Sequence, residues 1–512
     1  MKNKLIIIST LITLCLAGFQ YWITLHIQTQ LPSEQWSRSI PIDTMESNFS
    51  KLQSVPTENG YTLSLRDLKK LIVLSCNREL DCKEKWTIDK LNTNANSWSD
   101  ETNSYYMKDH SLIHWNNLDG EKTIAQHVID FAKTEDTLVY WSDDQKIFVL
   151  NSPSPEEEHQ FQMSEPVKFA QIIDNQIFIV TKNEKTQLYT LHNLSNQPNK
   201  LFQFELNATE ILSSLQIIQH SATNYLLLLD KKVSAGGTST KNIETASFNL
   251  TMNQSPIFNE LSFVEKQTDL SLNYIQNPAI SSGKQGPIIT FSSTFNDSSG
   301  EKVTKVFVGD FSEKIIQANA VTKSESRYER PILLNEQTVA YLKMTGTNRS
   351  LAYSSADEEI KQASSGIMEG DYTAAGYTLI EKLFYGVILV LFSLIWIIIT
   401  LLITYGTLLT MLKMKVAQSH RIAFFVHIIA LLVIQICLLF KFTTIENLIT
   451  RIPFITENWH FVILLLVSSI LSFVPLLMLR EKVSEDNFNM FVVYTTFMNL
   501  LILFFLIGPY LF

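Results

Sequence analysis

The sequence predicts a multidomain membrane protein, in which an all-β domain, β-propeller-like with six to eight blades, precedes an α-helical transmembrane domain. Two observations predict this architecture. The 512-residue chain divides into a polar part, rich in Asn, Ser, Thr and Gln, and a mostly apolar C-terminal part. Strand-like hairpins recur through the polar part at a mean spacing of about 45 residues, and a period of about 40–50 residues is typical of four-stranded propeller blades.

The C-terminal part contains four stretches that lack charged residues for long enough to cross a bilayer, which takes about 20 apolar residues. We predict that residues 381–512 form a four-helix transmembrane domain, with spans at residues 384–412, 422–440, 461–479 and 490–512. The first span has 29 residues, which is about 44 Å of helix against a hydrocarbon core of about 30 Å. It therefore has to tilt strongly or to extend beyond the bilayer as a stalk.

A fifth apolar stretch lies near the N-terminus. Lys2 and Lys4 precede it, as in the basic region of a signal peptide. However, the apolar run continues through "GFQYWITL" without a clear small-x-small cleavage site, and Leu14 stands where a lipoprotein needs a small residue before Cys15. We therefore predict that residues 1–25 form an uncleaved transmembrane anchor, with a cleaved signal peptide as the alternative.

The placement of Lys and Arg predicts the orientation of the five spans, because cytoplasmic loops are enriched in these residues. The N-terminus and two connectors carry seven of them, namely Lys2, Lys4, Lys413, Lys415, Arg421, Arg480 and Lys482. We predict a multi-pass protein of the bacterial plasma membrane with the N-terminus inside, residues 26–380 outside and the C-terminus outside. In the outer loop, residues 442–452 show the apolar spacing of a short helix lying on the outer leaflet.

The outer domain, residues 26–380, is acidic, with 31 Lys and Arg against 44 Asp and Glu, which argues against nucleic-acid binding. Its hairpins combine an apolar run, a polar turn and a second run, as in "LVYWSDDQKIFVL". The intervals between hairpins range from 26 to 63 residues, so an irregular β-sandwich or two stacked β modules is the alternative. The hairpins begin at Leu71, Leu112, Leu138, Ile177, Tyr225, Ile288 and Val339.

Two segments, "PAISSGKQGPIITFSS" from Pro278 and "PILLNEQTVAYLK" from Pro331, resemble the WD40-like blades of TolB-type β-propellers. Those blades open with Pro, a hydrophobic residue, a Ser-Pro-Asp-Gly turn and an aromatic-ended strand. The Ser-Pro-Asp-Gly turn is missing from both segments here. The resemblance implies that each blade packs against its neighbours and that loops at one end of the central channel bind partners.

A closed ring requires its last blades to meet its first, because an unpaired terminal blade would leave apolar faces in water. We therefore expect the hairpins that begin at Leu71 and Val339 to pack side by side. Trp115, Tyr140 and Trp141 would then serve mainly in packing between blades, with a recognition role as the minority interpretation.

The segment "LIVLSCNRELDCKEKWTI" contains Cys76 and Cys82 and predicts a strand, a turn and a return strand. The orientation places both cysteines outside the membrane, where disulfides persist, whereas Cys15 and Cys437 lie within spans. Two thiolates alone do not complete a zinc site, and five intervening residues differ from the C-x-x-C spacing of redox motifs. A structural disulfide is predicted, with free thiols as the alternative.

The sequence has no G-x-S-x-G elbow, H-E-x-x-H helix, Walker loop or G-x-G-x-x-G motif, and we predict no catalytic residue, cofactor or metal. His110 and His114 stand four apart beside Asp109 and could share a strand face as a metal pair. Histidines without such a function are the favoured interpretation. Calcium binding at residues 156–159 is a weaker idea, because the Asp/Gly loop pattern is missing.

Apart from tyrosines, His427 is the one ionisable side chain that the predicted spans bury. Such groups are functional hypotheses because they are costly to bury. His427 lies about two helical turns from Arg421, near the cytoplasmic face, so we favour an interhelical hydrogen bond over a proton relay. Similar interhelical partners are Gln435, Asn499, Ser468 and Ser469.

These features favour a membrane-anchored extracytoplasmic protein that binds, senses or scaffolds assembly without catalysis. The expected partners are membrane lipid and a protein of the membrane or envelope. The layout also resembles that of MacB/FtsX-type permeases, which implies the alternative of a subunit or regulator of an ABC-permease-like transport system, although that family ends inside after four spans. An envelope hydrolase on a propeller scaffold is the third hypothesis, and no nucleophile constellation supports it.

Overall fold

The computed structural model describes residues 2–42, 46–67, 69–89, 91, 96–151, 158–194, 197–221, 223–235, 238–251, 255–296, 302–311, 314–323, 326–368, 370–442, 451–455, 457–478 and 483–510. The chain divides into two compact units. The helical unit comprises Met1–Gln30, Asn296–Glu301 and Gly366–Phe512, and the propeller unit comprises Leu31–Phe295 and Lys302–Ser365.

The propeller unit contains seven sheets in its described residues. The chain enters it through β1 (Ile40–Pro41) and then forms blades 1 to 5, each a meander of four consecutive antiparallel strands. Blade 1 comprises β2 (Lys51–Thr57), β3 (Gly60–Arg66), β4 (Lys70–Asn77) and β5 (Cys82–Asp89). Blade 2 comprises β6 (Ser97–Ser99), β7 (Asn103–Lys108), β8 (Ser111–Asn116) and β9 (Gly120–Gln126). Blade 3 comprises β10 (Val128–Lys133), β11 (Thr137–Ser142), β12 (Lys146–Asn151) and β13 (Glu158–Gln162).

Blades 4 and 5 repeat this order. Blade 4 comprises β14 (Val167–Ile173), β15 (Gln176–Lys182), β16 (Leu188–Leu194) and β17 (Pro198–Glu205). Blade 5 comprises β18 (Glu210–Gln219), β19 (Asn224–Ala235), β20 (Thr238–Asn249) and β21 (Asn259–Glu260).

The last two blades depart from the pattern. Blade 6 has a fifth, outer strand, because β22 pairs in parallel with β26; its strands are β22 (Ser262–Glu265), β23 (Ile275–Gly283), β24 (Gly286–Asn296), β25 (Lys302–Asp310) and β26 (Ile315–Ala320). Blade 7 comprises β27 (Tyr328–Asn335), β28 (Thr338–Thr345) and β29 (Asn348–Ser355). Its fourth strand is β1, which pairs antiparallel with β29. The two ends of the propeller unit therefore close one ring.

Seven apolar cores fill the interfaces between neighbouring blades in the described propeller. Because successive side chains of a strand point to opposite faces, one strand contributes to two of these cores. Leu71 and Val73 of β4 pack towards blade 2, whereas Ile72 and Leu74 pack towards blade 7. This burial on both faces explains the continuous apolar run "LIVL" where a half-exposed strand would alternate.

The predicted propeller is confirmed with seven blades, and the predicted contact between the Leu71 and Val339 hairpins is found, because the core between blades 1 and 7 joins Ile72 and Leu74 to Ala340 and Leu342. The irregular spacing seen in the sequence has a structural reason. The hairpins from Leu71 and Leu112 are the third and fourth strands of their blades, whereas the later hairpins are second and third strands. The longest interval contains the extra strand β22.

The antiparallel order gives the propeller two distinct faces. The first strand of each blade begins on the face that carries the connectors between blades, which we call the connector face. Turns from the first to the second strand and from the third to the fourth lie on the opposite face, which we call the hairpin face. The chain enters the propeller at β1, the fourth strand of blade 7, and leaves it after β29, the third strand of the same blade, so both ends lie on the hairpin face. There Ser37 N donates to Ser355 O over 2.8 Å, and Arg38 N donates to Ser364 Oγ over 3.2 Å.

The helical unit contains five described helices that are long and apolar enough to cross a membrane, by length and composition only. These are α1 (Lys2–Thr29), α3 (Asp371–Lys413), α4 (Ser419–Phe442), α5 (Asn458–Met478) and α6 (Phe488–Leu506), whereas α2 (Glu358–Ser365) belongs to the propeller unit. The short helix predicted at residues 442–452 lies mostly outside the described residues. A short turn, Gly508–Tyr510, follows α6 and approaches α3 so closely that a methyl group on Gly508 would lie 2.6 Å from Gly386 Cα.

Candidate functional site

A hydrogen-bonded chain of polar side chains joins three blades at the propeller axis. Lys51 begins β2, Asn96 directly precedes β6, and Asp130 lies near the start of β10, so all three belong to first strands at the connector face. Lys51 Nζ donates to Asn96 Oδ1 over 2.8 Å, and Asn96 Nδ2 donates to Asp130 Oδ2 over 2.6 Å. The side-chain amide of Asn96 in blade 2 thereby links Lys51 of blade 1 to Asp130 of blade 3.

Two arginines complete this axial cluster, which we define as Lys51, Arg66, Asn96, Asp130 and Arg330. Arg66 ends β3 directly opposite Lys51 in the register of β2 and β3 and is 1% exposed. Arg330 lies near the start of β27 in blade 7, the blade next to blade 1. Arg330 has a φ of 53°, a left-handed backbone conformation that a residue other than glycine seldom adopts.

Burial and mutual repulsion shape the electrostatics of the axial cluster. Burial lowers the pKa of Lys51, and the charges of Arg66 and Arg330 lower it further, whereas Asp130 opposes the shift. Burial also lowers the pKa of Arg66 and of Arg330. Burial raises the pKa of Asp130, although the Phe131 N–H, Lys51 and Asn96 pull it downwards. Among the described residues, Arg66, Arg330 and Asp130 thus all act on Lys51 in partly desolvated surroundings, and Glu329 also acts on Arg330.

Elsewhere around the axis, glutamine side chains join neighbouring first strands. Gln171 of β14 donates to Ile217 O and accepts from Ile217 N of β18, both over 2.8 Å. Gln216 of β18 makes the same pair of bonds to the backbone of β23, to Pro278 O and from Ile280 N, both over 2.9 Å. These amides satisfy backbone groups on the free edge of each first strand, which is a structural role.

His110 and His114, which the sequence suggested as a metal pair, lie in different surroundings, one in a turn and one within a strand. Asp109 and His110 form the turn between β7 and β8, both with positive φ, as a two-residue hairpin turn requires. His114 lies within β8, where its Nε2 is 2.8 Å from Asn103 Oδ1 and its ring stacks on Tyr105 with centroids 4.7 Å apart. No group of three or more His, Cys, Asp or Glu side chains that could hold a metal occurs among the described residues. The calcium site considered at residues 156–159 lies largely outside the described residues.

The three aromatic residues considered for recognition lie between blades. Trp141 is 2% exposed in the core of blades 3 and 4, and Tyr140 is 6% exposed in the core of blades 2 and 3. Trp115 is partly buried and packs against Trp86 with ring centroids 5.0 Å apart.

The predicted Cys76–Cys82 disulfide is present and joins directly opposed residues of β4 and β5 on the hairpin face. We expect thiol labelling of the unfolded, unreduced protein to leave both cysteines unmodified, and labelling after reduction to modify both. Their separation is six residues, so the stabilisation should be at most about 3 kcal/mol by the loop-length model. Ready alkylation of Cys76 and Cys82 without reductant would show that the thiols are free.

No protein-family model matches the chain, and no curated protein matches it. Several solved structures are similar to it. The N-terminal domain of Nup159 shares 13% identity with a TM-score of 0.41, covering 63% of this chain and 96% of that one. The WD40 beta propeller domain of Doa1 shares 10% identity with a TM-score of 0.41, covering 64% and 99%. Kluyveromyces lactis Hsv2 shares 10% identity with a TM-score of 0.35, covering 57% and 90%. The predicted propeller fold is confirmed by the seven blades of the described propeller unit.

Within the helical unit, His427 of α4 is fully buried and joins three helices. Its Nδ1 lies 2.9 Å from Thr404 Oγ1 of α3, and its Nε2 lies 3.1 Å from Thr496 Oγ1 of α6. Each threonine hydroxyl can also donate to the carbonyl four residues earlier in its own helix, at 2.7 Å and 2.8 Å. A neutral imidazole has one N–H, so one hydroxyl accepts from the ring while the other donates to it.

The other polar residues suggested by the sequence form a second interhelical connection. Gln435 of α4 donates to Asn499 Oδ1 of α6, and Asn499 Nδ2 donates to Ser469 Oγ of α5 over 3.4 Å. Ser468 instead donates to Leu465 O of its own helix over 2.8 Å.

Replacing Thr404 with valine should destabilise the helical unit by about 0.6–2 kcal/mol, the range of interhelical hydrogen bonds in membranes. The matched control is Thr410→Val on the same helix, because the Thr410 hydroxyl bonds to Gly406 O of its own helix. Unfolding of the full chain by titration with a denaturing detergent measures the difference. Equal midpoints for the two variants would show that the bond to His427 contributes nothing.

Sequence reasoning missed the axial cluster. Its five members are scattered over nearly 280 positions and match no motif. One signal was available, because Arg330 is a charged residue directly before the blade-like segment predicted from Pro331. Only ring closure shows that Arg330 and Lys51 converge.

Proposed function

We propose that this chain is a non-catalytic binding or assembly-scaffold protein of the bacterial plasma membrane, anchored by its helices and exposing its propeller outside. The propeller holds a protein partner on its connector face. The observation that carries the proposal is the polarity of the propeller's two faces: both chain ends leave by the hairpin face, and the axial cluster lies at the connector face.

The closed ring supports a binding role because neither end of the propeller unit leaves by the connector face. Both ends of the propeller unit and the disulfide-linked turn occupy the hairpin face. The connector face carries the links between blades and the turns from second to third strands. Loops on a rigid scaffold are the usual location of binding residues.

The polarity of the helical unit supports membrane anchoring. Large apolar side chains are on the outside, with Phe384 70% and Leu402 69% exposed. Uncharged polar side chains are on the inside, with Thr400, His427 and Gln435 at 0% exposed. A protein in water hides apolar side chains, whereas helices in lipid expose them and use buried polar groups as interhelical contacts.

Site-specific photocrosslinking in native membranes tests the proposal. A photoreactive side chain at Asp143, exposed in the connector-face turn between β11 and β12, should yield a discrete protein adduct. The matched control is Glu79, exposed in the hairpin-face turn between β4 and β5, which should yield none of that adduct. An adduct from Glu79 alone, or no adduct from either position, would contradict a partner on the connector face.

A further inference from the structure

We infer that the side chains of Lys51 and Asn96 react with each other to form an isopeptide bond, with Asp130 as the acid that assists the reaction. The product would join the first strand of blade 1 covalently to the start of blade 2 at the propeller axis. This self-modification goes beyond the proposed binding role and does not rest on it.

The three side chains are arranged as a nucleophile, an electrophile and an acid. Lys51 Nζ lies 2.8 Å from Asn96 Oδ1, and a carbonyl bond is about 1.23 Å long, so the amine lies within about 4 Å of the carbonyl carbon Cγ. Reacting atoms in a near-attack arrangement are about 3–3.5 Å apart, and a small rotation of the flexible lysine side chain can close that difference. On the other side of the amide, Asp130 Oδ2 lies 2.6 Å from Nδ2, the nitrogen that would leave.

Backbone groups hold the acid and the amide in place. Phe131 N donates to Asp130 Oδ1 over 2.9 Å, so the other carboxyl oxygen is the one that meets the amide. Met107 N donates to Asn96 O over 3.4 Å, which fixes the backbone of Asn96 beside β7. Three different blades supply the three reacting groups, so closure of the ring brings them together and the reaction is expected in the folded propeller alone.

Asn183 shows how an asparagine with a purely local role differs. Its Nδ2 donates to Glu165 Oε1 over 2.8 Å, as Asn96 does to a carboxylate, but its Oδ1 accepts from the backbone N–H groups of Lys185 and Thr186 over 3.0 and 3.1 Å. Such bonds close a turn and bring no amine to the carbonyl. Asn96 instead has a lysine amine on one side of its amide and a carboxyl group on the other.

The surroundings also favour the protonation states that the reaction needs. An amine attacks a carbonyl only in its neutral form. Burial lowers the pKa of Lys51, and the charges of Arg66 and Arg330 act in the same direction, whereas Asp130 opposes them. Burial raises the pKa of Asp130, although its hydrogen bonds and Lys51 oppose that shift. Burial therefore favours a neutral amine beside a protonated carboxyl group.

The reaction needs no oxidant or added reactant. The lone pair of Lys51 Nζ attacks Cγ, and the electron pair of the C=O bond moves onto Oδ1. Asp130 then gives its proton to Nδ2, the C=O bond forms again, and the Cγ–Nδ2 bond breaks, which releases ammonia. The Nζ atom, now bonded to Cγ, returns one proton to Asp130. One amide N–H and one ammonia replace the amine and the primary amide, so atoms and charge balance.

Mass spectrometry of the full-length chain purified in detergent tests the inference. With the disulfide reduced, nearly every molecule should be lighter than the unmodified chain by one ammonia. Trypsin cleaves after Lys and Arg, so a modified Lys51 should resist cleavage. We expect one branched peptide, in which residues 39–66 are joined through Lys51 to Asn96 of residues 91–108.

Three variants should abolish the branched peptide. Lys51→Arg keeps the positive charge without the amine, Asn96→Ala removes the carbonyl, and Asp130→Asn keeps the size of the acid but cannot donate its proton. The matched control is Lys108→Arg, which removes a different paired lysine, with Nζ 2.9 Å from Glu121 Oε2, and keeps the tryptic site. It should retain the branch.

The wild-type result needs no variant, so a variant that fails to fold leaves the test intact. Efficient cleavage after Lys51 in the folded wild-type protein, with the two peptides separate, would overturn the inference. Loss of ammonia that persists in Lys51→Arg would overturn it as well, because Asn96 would then react with the backbone nitrogen of Ser97. A branched peptide from Asp130→Asn would overturn the role given to Asp130.

Discussion

Replacing Trp36 with alanine is expected to destabilise the propeller by about 3–5 kcal/mol, the usual cost of removing a large aromatic side chain from a core. Trp36 is 3% exposed and lies in the core between blades 6 and 7, together with Val306, Tyr328 and Tyr341. It belongs to the segment that leads into β1, outside both blades in sequence. Its side chain therefore fastens the N-terminal closing segment to the end of the ring.

The effect should be large because closure depends on few contacts. The strand β1 has two residues, and backbone bonds from Ser37 to Ser355 O and from Ile42 to Leu351 O extend its pairing with β29. Ile42 and Trp36 supply apolar anchors on either side, at 4% and 3% exposed. When the closing segment detaches, blade 7 loses its outer strand and the cores beside it become accessible to water.

Urea unfolding of the full chain in detergent, followed by proteolysis of the unfolded fraction, measures this change. Leu118→Ala is the control, because Leu118 is 94% exposed and substitutions at such positions usually change stability by less than about 0.5 kcal/mol. If Trp36→Ala shifts the propeller midpoint no more than Leu118→Ala does, the closing segment does not hold the ring.

The sequence predicts the blades well because each blade contains at least one strand that contributes side chains to two apolar cores. Such strands read as continuous apolar runs, as in "YLLLL" of β19 and "LIVL" of β4. The residue at which each blade begins was harder to predict. In blades 1 and 2 the first strands, "KLQSVPT" and "SWS", are polar or short, so the later hairpin of each blade stands out and the spacing looks irregular.

The closing strand and the axial cluster could not be predicted for a related reason. Ile40 and Pro41 form too short a strand to show a period, and their partner lies more than 300 residues away at Ala352 and Tyr353. Lys51, Asn96 and Asp130 carry no local pattern, since their bonds arise only when three first strands meet at the axis. The local periodicity of a sequence indicates which side chains are buried, but it does not indicate which strands distant in sequence lie side by side in the fold.

The long helix differs from its predicted extent in a way that composition explains. The charge-free stretch begins at residue 384, after Glu381 and Lys382, whereas α3 begins at Asp371. Residues 371–383 contain helix-forming Ala, Leu, Glu and Lys, and a helix does not end where its hydrophobicity ends. With 43 residues, α3 is about 65 Å long, which exceeds the hydrocarbon core more than the predicted span does.

Reporter fusions after Gln418, Asn487 and Phe512 should read inside, inside and outside. Gln418 lies between α3 and α4, and Asn487 lies between α5 and α6, so the two predicted spans α4 and α5 separate these positions and we expect them to share a side. Lys413, Lys415 and Arg421 surround the first connector, and basic residues favour the cytoplasm.

Two reporters with opposite requirements are fused at each position, so that each reporter serves as the control for the other. An enzyme that folds only outside should be active after Phe512 and inactive at the two connectors, whereas a fluorescent protein that matures only inside should show the reverse. Because the five predicted spans are an odd number, we expect the N-terminus and the C-terminus to lie on opposite sides. Fluorescence from the fusion after Phe512 would remove the five-span arrangement. It would also favour the permease-like layout, in which the chain ends inside, so this position decides between an anchored binding protein and a transport subunit.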